Sequence, residues 1–427
     1  MDWLLMAMPL ILLGRVQEVF RVLWPLRLVL VMSIVLMLAI VSHQGLAKPR
    51  LALFWRSMTF RWFAAMLAIM FVSIFTGIYP SHSLSFFKEF CMYFCVVLLA
   101  LNCQVNQRDD FRYSLGGIAL TLFVMGVICF VAPRYVEGNR VAANWSYDPN
   151  DTALFFIMGL ALILPSAKFV KPMYKWGLYL LTVIGVGAVV LTQSRGGLVA
   201  ALVTVAAWGF SKGFKGMVRI GLLGALALAV IMALAPAEDL ARFSSVFTLE
   251  SDYNMTSKGG RMDIWENGWT LFKRNPILGT GVDTFRVAEG QVNSGGRWSE
   301  AHNSFIQVGV ELGIPGFIVF MGMLFSAYKR AKPTDENDWL GRGIRLALIG
   351  FMAGGMFLSW GYHIVLYFVL SIAMIRERVL TMESPFPVEV PVAEVPVREA
   401  PVPSETPDLP ENAPLAGRRR YTMRKPK

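Results

Sequence analysis

Residues 114–133 read SLGGIALTLFVMGVICFVAP, a run without one charged side chain. A helix that crosses a hydrocarbon core needs about 20 largely apolar residues, and this stretch supplies them. Reading outward between Pro, Gly and charge clusters gives twelve such runs, at roughly 3–20, 26–43, 60–79, 86–102, 114–133, 151–166, 174–192, 196–210, 217–235, 302–327, 340–359 and 361–378. The first is the weakest, because Arg15 and Glu18 interrupt it, and the eighth is short. Composition agrees. Of 427 residues, 55% are hydrophobic and 16% charged, against about 25% charged in a soluble domain. Mean hydropathy is +0.52. A cytosolic enzyme, a secreted disulfide scaffold and a disordered chain are excluded. The expected fold class is all-α: a polytopic integral membrane protein with about 12 transmembrane helices and one long periplasmic loop.

The formal charge of +11 has an orientation in it. An even number of spans puts both termini on one side. With the termini inside, 26 of the 40 Lys and Arg fall on inner segments, where 14 of the acids also lie. The remaining 14 basic residues face 15 acids, seven of the 14 lying in a single long segment. Basic loops stay cytoplasmic, so both termini are predicted cytoplasmic, in a bacterial inner membrane. Nucleic acid is not needed to explain the charge. The expected divisions are 1–235, helices one to nine; 236–301, a periplasmic loop with an interfacial amphipathic helix; 302–379, helices ten to twelve; and 380–427, a disordered Pro-rich cytoplasmic tail. That tail ends in a basic run from Arg418, suited to anionic lipid headgroups or plain solvation.

Cys91, Cys95, Cys103 and Cys129 form no CxxC pair and are expected to be packing thiols. The first apolar run is not a cleaved signal, since no basic region precedes it and more spans follow. No metal or nucleotide motif stands out, and no metal or cofactor is implied. Gly279-Thr-Gly281 lacks the third glycine of a dinucleotide site and is expected to be a turn. Gly350 and Gly354 fit close helix packing.

Four stretches carry possible chemistry, and all map to the outer face. The first runs from Ser257 through Lys258 and Arg261 to Trp265, Trp269 and Phe272. The aromatic spacing is the apolar stripe of an amphipathic helix, expected on the outer membrane face. The preceding glycines put Arg261 in its first turn, where a helix start and a guanidinium together suit an anion. A solvated interfacial arginine is the plain alternative. The second is Ala301-His302-Asn303, followed by Gln307 and Glu311. Asn303, Gln307 and Glu311 make one polar stripe on an apolar helix, which must face protein or a water-filled cavity. A continuous helix over 301–328 would be about 42 Å long, so it either projects outward or breaks at Gly313-Ile-Pro-Gly316. Both leave His302 near the outer surface, as a general base or as a structural residue. The third stretch is Thr192-Gln-Ser-Arg195-Gly-Gly, a tight turn whose arginine either binds an anion or snorkels to headgroups. The fourth, Arg140 to Asp151, contains Asn150. Arginines aimed at a leaving pyrophosphate, with a histidine of near-neutral pKa, suit cleavage of a sugar–pyrophosphate bond.

The Ser-Arg195-Gly-Gly turn, the Arg261-to-Trp265 helix, the segment from His302 to Gly316 and the Asp-Pro-Asn150-Asp stretch together resemble the O-antigen ligase and polymerase superfamily. By motif the resemblance spans about 130–330. It implies a GT-C type glycosyltransferase that takes an undecaprenyl-pyrophosphate-linked glycan as donor and works without metal, inverting the anomeric carbon. It further implies that Arg195 and Arg261 bind pyrophosphate and that His302 is the base or positions the acceptor. Arg140, Asn150, Asn303, Gln307, Trp265 and Lys258 are candidate substrate-binding residues. The resemblance is best to a ligase acting on lipid A–core. A polymerase, a protein O-oligosaccharyltransferase and, from another class, a lipid-linked glycan transporter are the alternatives. Membrane lipids are the other expected partner.

Overall fold

The computed structural model describes residues 2–42, 54–136, 139–234, 260–293 and 298–382. Lys258, the first part of the 236–301 segment and the tail beyond Met382 lie outside the described residues. Helices occupy each of the twelve expected runs. In chain order these are α1 (Asp2–Leu12), α2 (Leu28–Ser42), α3 (Met58–Thr76), α4 (Pro80–Gln104), α5 (Phe111–Val131), α6 (Pro149–Ile163), α7 (Pro172–Leu191), α8 (Arg195–Ser211) and α9 (Gly213–Leu234). After two surface helices, α10 (Arg261–Arg274) and α11 (Phe285–Val292), come α12 (Ser304–Arg330), α13 (Trp339–Gly354) and α14 (Ile364–Met382). Among the described residues, seven helical stretches are long and apolar enough to cross a membrane. The shorter apolar α1 and α8 fall where the sequence is weakest and shortest.

Polar caps set where the helices start. Ser57 caps α3 and Ser194 caps α8, each accepting from the amide three residues on. Asp148 and Asp151 form a capping box on α6, with Pro149 preorganised at its first position. Asp338 caps α13. The core lies around α6 and α14, which bury most of their length. As expected, α13 comes close to its neighbours at its glycines: a Cβ on Gly354 would sit 2.6 Å from Leu154 of α6. By contrast, α2 and α7 leave Leu38, Trp176 and Val183 exposed.

The bundle has two faces. On one, Arg376 of α14 bonds Arg330 O and Asp338, Arg378 bonds Asn102 O and Val105 O, and Glu377 accepts from Ser57. The other is the site face. It gathers the end of α1, the 77–83 bend, a two-stranded hairpin (β1, Arg134–Val136; β2, Arg140–Ala142), the 192–195 turn, the 277–303 region and the linker 355–363. Register pairs Tyr135 with Val141.

α12 breaks where the sequence allowed. Gly313 has φ 66° and ψ −168°, and Pro315 cannot donate to the Glu311 carbonyl one turn back. The released groups find partners in the 276–283 loop: Gly281 N donates to Glu311 O, Thr280 N to Val310 O, and Ile314 N to Pro276 O, all at 2.8–2.9 Å. Gly279 and Gly281 both have positive φ, so the lone GxG is indeed a turn, wedged into the break.

Candidate functional site

The linker 355–363, Gly-Met-Phe-Leu-Ser-Trp-Gly-Tyr-His, joins the starts of three helices. Ser304, first residue of α12, donates through N to Gly355 O (2.7 Å) and through its hydroxyl to Leu358 O (2.7 Å), and accepts from Trp360 N. The indole of Trp360 donates to Asp151 at the start of α6, 2.6 Å away. Phe357 lies against Gly196 at the start of α8, where a Cβ would be 2.8 Å from the Phe357 side chain.

His302 sits half-buried against this linker, its amide donating to Ser359 Oγ at 2.9 Å. Its φ of 45° is left-handed, a conformation a non-glycine residue holds only when its surroundings fix it. Asn303 follows as the cap of α12, Oδ1 accepting from Phe305 N and Ile306 N. Gln307 is buried and accepts from Gly361 N at 3.2 Å. Glu311 accepts from Asp283 N and Phe285 N. The polar stripe therefore faces protein, where it pins backbone around the site.

α10 docks beside His302. Trp265 Nε1 donates to Ala301 O at 3.0 Å, and Gly268 lets the helix approach Ile306. Arg261 opens α10, one turn before Trp265 on the same side of the helix. Arg195 opens α8, after Gln193 in the left-handed region and the Ser194 cap. The Ser194 hydroxyl also donates to Asn150 Oδ1 at 2.8 Å. Arg140, buried, donates to the same oxygen at 2.9 Å and to Thr192 O at 3.3 Å. Arg140, Asn150 and the Arg195 turn are thus one cluster. Arg261, Trp265, His302, Asn303 and Gln307 form a second, and linker 355–363 touches both.

Two titratable groups near these clusters are perturbed. Burial pushes the Asp283 carboxyl up to about 6, against the opposing pull of His82, whose Nε2 is 3.0 Å away. Burial, helped by the charge of Arg15, pushes His363 down to about 3, so its ring is neutral. Among the described residues, no three His, Cys, Asp or Glu side chains gather to hold a metal ion.

Sequence reasoning missed the linker itself. The expected spans 340–359 and 361–378 ran through it almost without a gap. The polar and aromatic run Ser359-Trp-Gly-Tyr-His363 was the signal available.

Comparison with known proteins bears on the second cluster most. Residues 180–321 match the family model described as O-antigen ligase. The match takes in Arg195, Arg261, Trp265, His302, Asn303 and Gln307, and leaves out Arg140, Asn150 and linker 355–363. No curated protein matches the chain.

Proposed function

From the premise that residues 180–321 form an O-antigen ligase superfamily domain within a helical membrane protein, we propose that the chain is a glycosyltransferase. It moves O-antigen polysaccharide from undecaprenyl pyrophosphate to a sugar hydroxyl of lipid A–core. We place the site face in the periplasm, because the inner segments read from the sequence hold most of the basic residues.

The observation that carries this reading is the meeting, at one linker, of the starts of α8 and α12, with α10 docked beside His302. Arg195 and Arg261 each open a helix, where amide dipoles and guanidinium act together on an anion. In the reaction, the acceptor oxygen attacks the anomeric carbon from the side opposite the pyrophosphate. The C–O bond to pyrophosphate breaks, and its electron pair stays on the phosphate oxygen under Arg195 and Arg261. The acceptor proton passes to the His302 imidazole, or to water where His302 only orients the hydroxyl. Arg140, Asn150, Asn303, Gln307, Trp265 and Lys258 complete the proposed substrate contacts, several of them by fixing backbone. The chemistry runs without metal or cofactor.

The test is transfer in vitro, with defined lipid-pyrophosphate donor and lipid A–core acceptor, with and without chelator. Transfer that survives chelation, and fails with His302→Ala and Arg261→Ala proteins of normal fold, supports the assignment. Transfer only onto a second lipid-linked repeat would make it a polymerase, and transfer onto a protein an oligosaccharyltransferase. Movement of lipid-linked glycan across liposomes without transfer would make it a transporter.

A further inference from the structure

A second cavity on the site face lies beyond both clusters. About 280 Å³ in volume, it sits between the end of α1, the start of α2, the first half of α4 and the start of α14. Tyr362 and His363, from linker 355–363, form one wall, so the linker that holds the His302 backbone also borders this cavity. Tyr147 and the stacked pair Trp360–His363, whose ring centroids are 3.8 Å apart, separate it from Asp151 and Asn150.

Its charge differs from that of the arginine clusters. The Arg15 guanidinium is paired with Glu18 at 3.0 Å, and the other Glu18 oxygen accepts from Ser146 N at 2.9 Å. Glu89 adds another carboxylate to the lining. One arginine against two acids leaves no surplus cation for a pyrophosphate. The uncharged lining has its own pattern. Tyr93, Tyr147 and Tyr362 present aromatic rings. His363 Nδ1 accepts from Val365 N at 3.4 Å, which in a neutral ring leaves the proton on Nε2 as a donor. Aromatic faces with a few convergent planar polar groups form a pocket for a neutral, hydroxyl-rich ligand: rings cover the sugar C–H face while carboxylate and guanidinium grip adjacent hydroxyls. The volume suits one sugar residue. The outward side of α2, with Val31, Ile34 and Leu38 exposed, puts the cavity behind a surface open to lipid.

We propose that this cavity binds one sugar of the glycolipid acceptor, gripped by Arg15, Glu89 and His363 against the tyrosine rings, across linker 355–363 from the pyrophosphate site. The proposal rests on the glycan-ligase reading and gives that enzyme separate donor and acceptor subsites.

The test uses the full chain in nanodiscs, with Tyr93→Ala and Glu89→Gln on the α4 wall. With lipid A–core lacking O-antigen as acceptor, the KM for acceptor is expected to rise tenfold or more, while the KM for the lipid-pyrophosphate donor stays within twofold. Calorimetric titration with the core oligosaccharide freed of lipid gives a readout independent of turnover: wild type binds it, and both variants lose binding. An unchanged acceptor KM with unchanged binding overturns the proposal, as does an equal rise in donor KM. A wild-type protein that binds the oligosaccharide but transfers nothing would sink the ligase reading while leaving a saccharide site in place. A wild-type protein that transfers but shows no sensitivity at Tyr93 or Glu89 would sink only the cavity.

Discussion

The backbone amide of His302 donates to the hydroxyl of Ser359, 57 residues away, at 2.9 Å. That bond holds a histidine in left-handed conformation at the mouth of α12. Removing it with Ser359→Ala is expected to reduce stability by about 1 kcal/mol, the usual worth of such a bond. The effect on transfer is expected to be larger, about tenfold or more in kcat, because a small displacement of a catalytic group has a large effect on rate. Thermal unfolding and single-turnover transfer, measured on the same preparations, separate the two effects. Ser359→Thr, which keeps the acceptor oxygen, should restore most of the rate. A Ser359→Ala enzyme with full kcat would remove this bond from the mechanism.

Arg195 and Arg261 both sit at helix starts, and charge alone is not what such positions provide. A guanidinium offers a planar, two-pronged donor, whereas an ammonium is a point charge. Arg195→Lys and Arg261→Lys are therefore expected to lose most of what the alanine variants lose, about 100-fold in transfer, with gel-filtration behaviour unchanged. Lysine variants within a few-fold of wild type would mean the arginines supply field and not geometry.

Much of this arrangement was legible in the sequence, and the parts that were not have physical causes. Every helix on the site face announces its start with a short polar residue: Asp148 before α6, Ser194 before α8, Asn303 before α12. The break in α12 was written in Gly313 and Pro315. The partners that make the break tolerable were not. That Thr280 and Gly281 serve the carbonyls of Val310 and Glu311 depends on packing across 30 residues. Glu311 likewise looked like part of a stripe facing either protein or water. Only the fold shows its carboxylate taken up by Asp283 N and Phe285 N. Linker 355–363 was hidden because its residues are as apolar as the helices around it. Its role comes from what approaches it, not from its own composition.

The wedge at the break yields a stability test. Gly279 has φ 68°, and a Cβ there would lie 2.3 Å from Glu311 O. Neither the loop nor α12 can retreat without breaking the bonds that satisfy the kink. Gly279→Ala is expected to cost several kcal/mol, beyond the ~1 kcal/mol typical of a point mutant, and to lower the yield of monodisperse protein. Gly177→Ala, where the added Cβ meets nothing within 4 Å and the helix gains propensity, is the control. Equal behaviour of the two variants would show that the wedge is not rigid.

The Asp283–His82 contact ties the same loop to the start of α4, at 3.0 Å, and its pH dependence has a definite sign. Asp283 titrates at about 6 in the fold, raised chiefly by burial, with Glu300 and Glu89 adding to the rise and His82 opposing it. Its ordinary value is 3.8. Between those two values the folded protein holds a proton that the unfolded chain has released. Stability from this group is therefore full below the lower value and is lost as pH rises through the higher one. Asp283→Asn, neutral throughout, has no such loss. The melting temperature of the variant minus that of the wild type should climb from about pH 4 to about pH 6 and then level off. A difference that is flat across this range, or that falls, would mean the carboxylate is solvated better than its burial implies, and that His82 dominates the pair.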